Sequence, residues 1–109
     1  MVIPRRFEVW LVSLDPTRGS EIQKTRPCLV VSPDELNRNI RTVIVAPMTT
    51  VRRNYPTRVS VRFADKAGAV ALDQIRTVDR TRLLRKLGAV PKATARQVCG
   101  ALVQMFAWE

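Results

Sequence analysis

Arg26 and Thr49 each stand at the end of an apolar run, in Thr25-Arg26-Pro27-Cys28-Leu29-Val30-Val31-Ser32 and Ala46-Pro47-Met48-Thr49-Thr50. A guanidinium grips a phosphate through two nitrogens and neutralises charge on its oxygens, and a threonine hydroxyl donates a hydrogen bond to a non-bridging oxygen. In a chain with no histidine and a formal net charge of +10, the pair suits phosphate chemistry. Cleavage of an RNA backbone by its own ribose 2′-OH also needs a proton acceptor and a proton for the departing 5′-oxygen. The lack of histidine excludes a paired-imidazole solution. Arginine, with a pKa above ~12, is a poor acceptor at neutral pH. That leaves the base unassigned, with Glu21, five residues before Arg26, the physically easier candidate. Taken singly, each residue also has an ordinary use: solvated strand edge, turn hydroxyl, surface ion pair. Spacing alone does not bring them together.

The charge balance points the same way. Of 19 basic residues 15 are arginine, against 9 acidic residues. Arginine's planar fork grips phosphate and stacks on bases, so the bias favours a polyanionic partner, although an arginine-rich genome produces the same composition. Tyr55 sits among Arg52, Arg53 and Arg58, where an aromatic face would stack a base while guanidinium groups hold the backbone; packing on its own loop is the equal alternative. Cys28 and Cys99 lie far apart, with no histidine or further cysteine to complete a metal site or redox pair, and read as buried apolar fillers in a reducing cytoplasm. No metal or cofactor is expected. Arg5, Arg6 and Glu8 interrupt the N-terminal apolar stretch and no transmembrane run follows, which predicts a soluble cytoplasmic protein with no membrane partner.

One domain over residues 1–109 is expected from the length. Residues 7–14 are β-branched and aromatic and predict a first strand, and Pro16 and Gly19 break it into a loop over 15–25. The apolar runs 28–31 and 42–46 read as buried strands with at most a helical turn, 34–37, between them. Residues 50–57 form a basic loop. Alternation over 58–63 puts Val59, Val61 and Phe63 inward and Arg58 and Arg62 outward. Short strands are predicted over 69–72 and 75–78, then a helical turn over 79–84. Thr94-Ala95-Arg96-Gln97 has capping-box form, with Val98, Ala101, Leu102, Met105 and Phe106 on one face of a C-terminal helix. Five or six short strands sealed by one helix make a mainly β, α+β fold: a small twisted barrel or half-barrel.

These residues resemble a family. Gly19-Ser20-Glu21, Thr25-Arg26-Pro27 leading an apolar strand, Ala46-Pro47-Met48-Thr49-Thr50, and Leu72-Asp73-Gln74-Ile75-Arg76-Thr77-Val78-Asp79 with Arg82-Leu83 are similar, in order and spacing, to the motifs of MazF/PemK toxins. The resemblance runs from about residue 7 into the C-terminal helix. It implies an SH3-like, CcdB/MazF-type barrel assembled as a homodimer, and a metal-independent endoribonuclease that cuts single-stranded RNA to a 2′,3′-cyclic phosphate and a 5′-OH. The family's catalytic arginine and threonine fall on Arg26 and Thr49, and a loop glutamate on Glu21. A cognate antitoxin with an acidic, partly disordered segment lying over Arg26 is implied as partner. In the fourth motif Asp73, Gln74, Arg76 and Asp79 alternate with apolar residues; they are expected to knit strand, turn and dimer interface together, with Arg76 the candidate RNA contact. Two other readings stand beside this one. The tail Met105-Phe106-Ala107-Trp108 resembles the ending of CcdB-type gyrase poisons, and a non-catalytic RNA-binding barrel would also account for the charge.

Overall fold

The opening aromatic and β-branched run forms strand β1 (Glu8–Ser13) in the computed structural model, which describes residues 2–108. It is followed by β2 (Thr25–Val30), a short helix α1 (Asp34–Asn39), β3 (Thr42–Thr49), β4 (Arg58–Phe63) and β5 (Lys66–Ala71). A 3-10 turn over Leu72–Gln74 leads to β6 (Arg76–Asp79), and a second over Arg80–Arg82 to β7 (Leu83–Ala89) and helix α2 (Lys92–Phe106). Every pairing is antiparallel: the strands run β4-β5-β3-β2-β1-β7, with β6 on the far edge of the first half of β3. The result is the mostly antiparallel half-barrel with a C-terminal helix that the strand pattern predicts.

The apolar run 28–31 is continuous because β2 is buried on both faces. Leu29 and Val31 join the cluster of Val9, Met48, Val70 and Leu72, whereas Cys28 and Val30 join Trp10, Val12, Leu14 and Val45 on the other side. Helix α2 closes the first cluster with Val98, fully buried, and with Ala101, Leu102 and Met105 packed beside it. The crossover through α1 is held by Asn37, which is buried: its carboxamide accepts from Ser32 Oγ and donates to the Ser32 carbonyl at 3.1 Å, while Ser32 Oγ accepts from the Ile44 amide at 3.1 Å.

Several expectations need correction. The described residues form seven strands, not five or six. The predicted helical turn over 79–84 is a 3-10 turn over Arg80–Arg82, and the strand β7 that follows over residues 83–89 is not foreseen; Leu-Leu-Arg-Lys-Leu has no β-branched residue, and its place is set by pairing with β1. Strand β5 starts at Lys66 and ends before Leu72, because Ala64 and Asp65 form a tight β4–β5 hairpin turn with φ of 50° and 60°. Thr94 does not cap α2, which begins at Lys92 behind Pro91. Phe106 lies on the outer face, 70% exposed. Arg58 does not point into solvent: its side chain is 8% exposed, against Asp73. Among the described residues no helix is long and apolar enough to cross a membrane.

Candidate active site

Strands β2 and β3 bring Arg26 and Thr49 together. Their ladder pairs Val30 with Val45, Leu29 with Ala46 and Cys28 with Pro47. Two residues beyond the last pair on each strand, on the same face, come Arg26 and Thr49. Each is fixed from its outer side by a different neighbour: Arg26 stands opposite Val12 of β1, and Thr49 opposite Ala69 of β5. Strand β3 thus belongs to both halves of the barrel, and its handover from β6 to β5 delivers Thr49 beside β2.

Both residues line one cleft of about 580 Å³, walled by Pro27, Met48, Phe63 and Leu87, with Lys66 at its edge. Arg26 is half-buried, and its Nε donates to the Gln23 carbonyl at 2.9 Å. Neither of its terminal nitrogens makes an ion pair among the described residues. Thr49 is 8% exposed, and its Oγ1 accepts from the Val51 amide at 3.1 Å, so one lone pair is occupied and the hydroxyl proton remains free to donate. Gly68 permits this arrangement, since a Cβ at that position would lie 2.5 Å from the Thr49 carbonyl oxygen.

Glu21 and Arg76 line a second cleft of about 420 Å³ with Pro47 of β3, Ser20, Asp73 and Gln74; this cleft shares no lining residue with the cleft of Arg26 and Thr49. The Glu21 carboxylate accepts from the Arg18 amide. Arg76 stands opposite Val45 on β6, and its guanidinium donates to the Leu14 carbonyl at 3.0 Å. Arg26 and Arg76 flank the Cys28 thiol. Burial nonetheless pushes that thiol up to about 12, against the pull of both cations, which leaves it protonated and inert at neutral pH.

A profile of PemK-like, MazF-like toxins of type II toxin-antitoxin systems matches residues 5–106. Endoribonuclease PemK of Escherichia coli is 41% identical over 103 residues, covering 89% of this chain and 77% of its own. Endoribonuclease MazF9 of Mycobacterium tuberculosis is 37% identical over 111 residues, covering 90% and 92%. The chain belongs to this toxin family. Among solved structures, MazF of Deinococcus radiodurans superposes with a TM-score of 0.86 at 25% identity, covering 99% of this chain and all of its own. A mycobacterial endoribonuclease in complex with its cognate antitoxin superposes with a TM-score of 0.81 at 30% identity, covering 97% of this chain and 99% of its own.

The other candidate residues of this toxin fall outside the two clefts. Arg52 and Arg53 are exposed on the loop after β3 and line neither. Tyr55, 50% exposed, packs against the Arg58 guanidinium, whose centre lies 5.2 Å from the ring centroid. The aromatic wall beside Arg26 is Phe63, which also packs against the core, as the alternation over 58–63 predicts. The hairpin turn after it also carries Lys66 to the cleft, a cation that no strand pattern in the sequence marks. The fourth motif works as a set of ties. Asp73 accepts from Arg58, Gln74 bonds Ser20 and Ile22, Arg76 bonds Leu14, and Asp79 accepts from the Thr81 amide and hydroxyl. Cys99 is half-buried, with Arg6 Nη2 3.8 Å from its sulfur, and Trp108 is 99% exposed beyond the end of α2.

Proposed function

We propose that this toxin is an endoribonuclease that cuts single-stranded RNA in the cleft shared by Arg26 and Thr49. The reading rests above all on one observation: in a chain of this family, a guanidinium with its terminal nitrogens unpaired and a hydroxyl with its proton free line the same cleft. The ribose 2′-oxygen attacks phosphorus, the P–O2′ bond forms and the P–O5′ bond breaks, leaving a 2′,3′-cyclic phosphate and a 5′-OH. Arg26 binds the non-bridging oxygens and offsets their developing charge, and Thr49 donates a hydrogen bond to one of them. Glu21 takes the 2′-OH proton once its carboxylate turns from the Arg18 amide toward the pair, and a solvent proton or the resulting acid meets the departing oxygen. No step calls for a metal. Arg76, Arg52, Arg53 and Tyr55 hold flanking nucleotides.

Residues 1–109 act as one toxin domain, paired as a homodimer and restrained by an antitoxin, a mycobacterial relative having been solved in complex with its own; the chain's excess of arginine suits an acidic antitoxin segment lying over the Arg26 cleft. The named relatives favour RNA cutting over gyrase poisoning or passive RNA binding. The test is direct. Purified protein with long single-stranded RNA in EDTA should give discrete fragments with 5′-OH ends, and Arg26→Ala and Thr49→Ala should each slow cutting by ~10² or more without unfolding. Near-parent cutting by either variant would overturn the assignment.

A further inference from the structure

The 3-10 turn Leu72–Gln74 touches both loops that flank the clefts. Leu72 anchors it: the side chain is fully buried, and its amide donates to the Thr57 carbonyl at 3.0 Å. The next two residues reach opposite ways. Asp73 accepts from Thr57 Oγ1 at 3.1 Å and from Arg58 Nε and Nη2 at 2.6 and 3.0 Å, and Arg58 in turn lies over Tyr55. Asp73 therefore fastens the end of the basic loop 50–57. Gln74 reaches across to the β1–β2 loop, accepting from the Ile22 amide at 2.6 Å and donating to the Ser20 carbonyl at 3.2 Å. These are the residues on either side of Glu21, so one carboxamide fixes the backbone that carries that carboxylate.

We propose that Gln74 and Asp73 are positioning residues for RNA selection: a single turn, locked into the core by Leu72, holds the two substrate-facing loops in fixed register with each other. The proposal rests on the ribonuclease reading above. A loop held by two side-chain hydrogen bonds 52 and 54 residues away in sequence has its conformation set by those bonds. Substrate selection depends on where loop groups stand and is therefore sensitive to the clamp, whereas the backbones of Arg26 and Thr49 are held within strands β2 and β3 opposite Val12 and Ala69.

The experiment compares the full chain with Gln74→Ala, Gln74→Glu and Asp73→Asn. It maps 5′-OH ends on a long single-stranded RNA, measures kcat and KM on an oligonucleotide containing the preferred site, and follows Ile22 amide exchange by NMR. Gln74→Ala should exchange at Ile22 on the order of ten-fold faster, raise KM about ten-fold, lower kcat through the loosened backbone of Glu21, and cut a wider set of sequences. Gln74→Glu keeps the acceptor for Ile22 and should show smaller changes, carrying the test if the alanine variant does not fold. Asp73→Asn should widen the cut set while leaving Ile22 exchange as in the parent. An unchanged cut set and KM in these variants overturns the clamp. A parent protein that cuts no RNA overturns the ribonuclease reading instead.

Discussion

Replacing Gly68, which lines the cleft, by alanine should damage the site through the backbone of Thr49 while leaving the Arg26 and Thr49 side chains chemically unchanged. The added Cβ would lie 2.5 Å from the Thr49 carbonyl oxygen and 3.3 Å from its carbon. Carbon–oxygen contact is comfortable from ~3.3 Å, so β3 and β5 must separate by ~0.8 Å at this point. The neighbouring pairs Thr49–Ala69 and Met48–Val70 hold the strands together, and the obstacle is backbone, not a flexible side-chain end. Overpacking of this kind costs about 1–3 kcal/mol of stability. On the proposed reading, in which Thr49 donates to the phosphate, a displacement approaching ~1 Å lowers the rate on the order of 10- to 100-fold. The assay is the initial rate of RNA cutting beside a urea unfolding curve. Gly100→Ala is the control: in the middle of α2, with nothing within 4 Å of its built Cβ, it should leave cutting unchanged and add up to about 1 kcal/mol of stability. A Gly68→Ala protein that cuts at the parent rate would show that the position of Thr49 does not matter to the chemistry.

Two further outcomes concern stability. Ala64→Gly, at a turn residue with φ of 50°, should raise the urea midpoint by an amount equivalent to about 1 kcal/mol, because a non-glycine side chain in the left-handed region is strained; an unchanged midpoint would show that the turn relaxes freely. Burial alone would raise the Glu8 pKa, but the Arg5 amide, the Lys86 ammonium 2.9 Å away and the Trp10 N–H together hold it below the ordinary 4.5. A lowered folded pKa means that its contribution is complete above 4.5 and is lost as pH falls through the folded value, so the midpoint should decline below that pH, less steeply in Lys86→Met; equal declines would refute the pairing.

What the sequence reveals follows the range of the interaction involved. The buried strands 28–31 and 42–46 and the face of α2 are written in local apolar patterns, and they carry Arg26 and Thr49 at their ends. Strand β7 is written nowhere locally, since Leu83–Ala89 is a strand only because β1 offers it an edge. The β4–β5 hairpin hides for a related reason: Ala64-Asp65 lacks the glycine or asparagine that marks such a turn, and tertiary pairing forces the left-handed backbone. The cleft residues Phe63 and Lys66 are missed with it, because they flank that turn. Arg58 reads as an outward residue by alternation, yet the position of Asp73, which faces it, depends on the path from β5 to β6.

On the proposed reading, a phosphate site without histidine depends on charges and dipoles that stand in place before the substrate arrives, because no imidazole is available to titrate near neutral pH. Here the orientation comes from bonds that leave the reactive ends unused. Arg26 is tethered through Nε, so the loss of freedom on binding phosphate is already met at the base of the fork, and Thr49 is aligned by an amide that takes a lone pair and not the proton. These tethers run to residues near in sequence, Gln23 and Val51, whereas the distance between the two groups is governed by a ladder of three β2–β3 pairs ending at Cys28–Pro47. Local bonds aim each group, and the sheet spaces them. On that reading, loop changes that leave Gln23 and Val51 in place alter which RNA is accepted while the pair stays intact, and a change at Gly68, which moves the sheet, disturbs the pair itself.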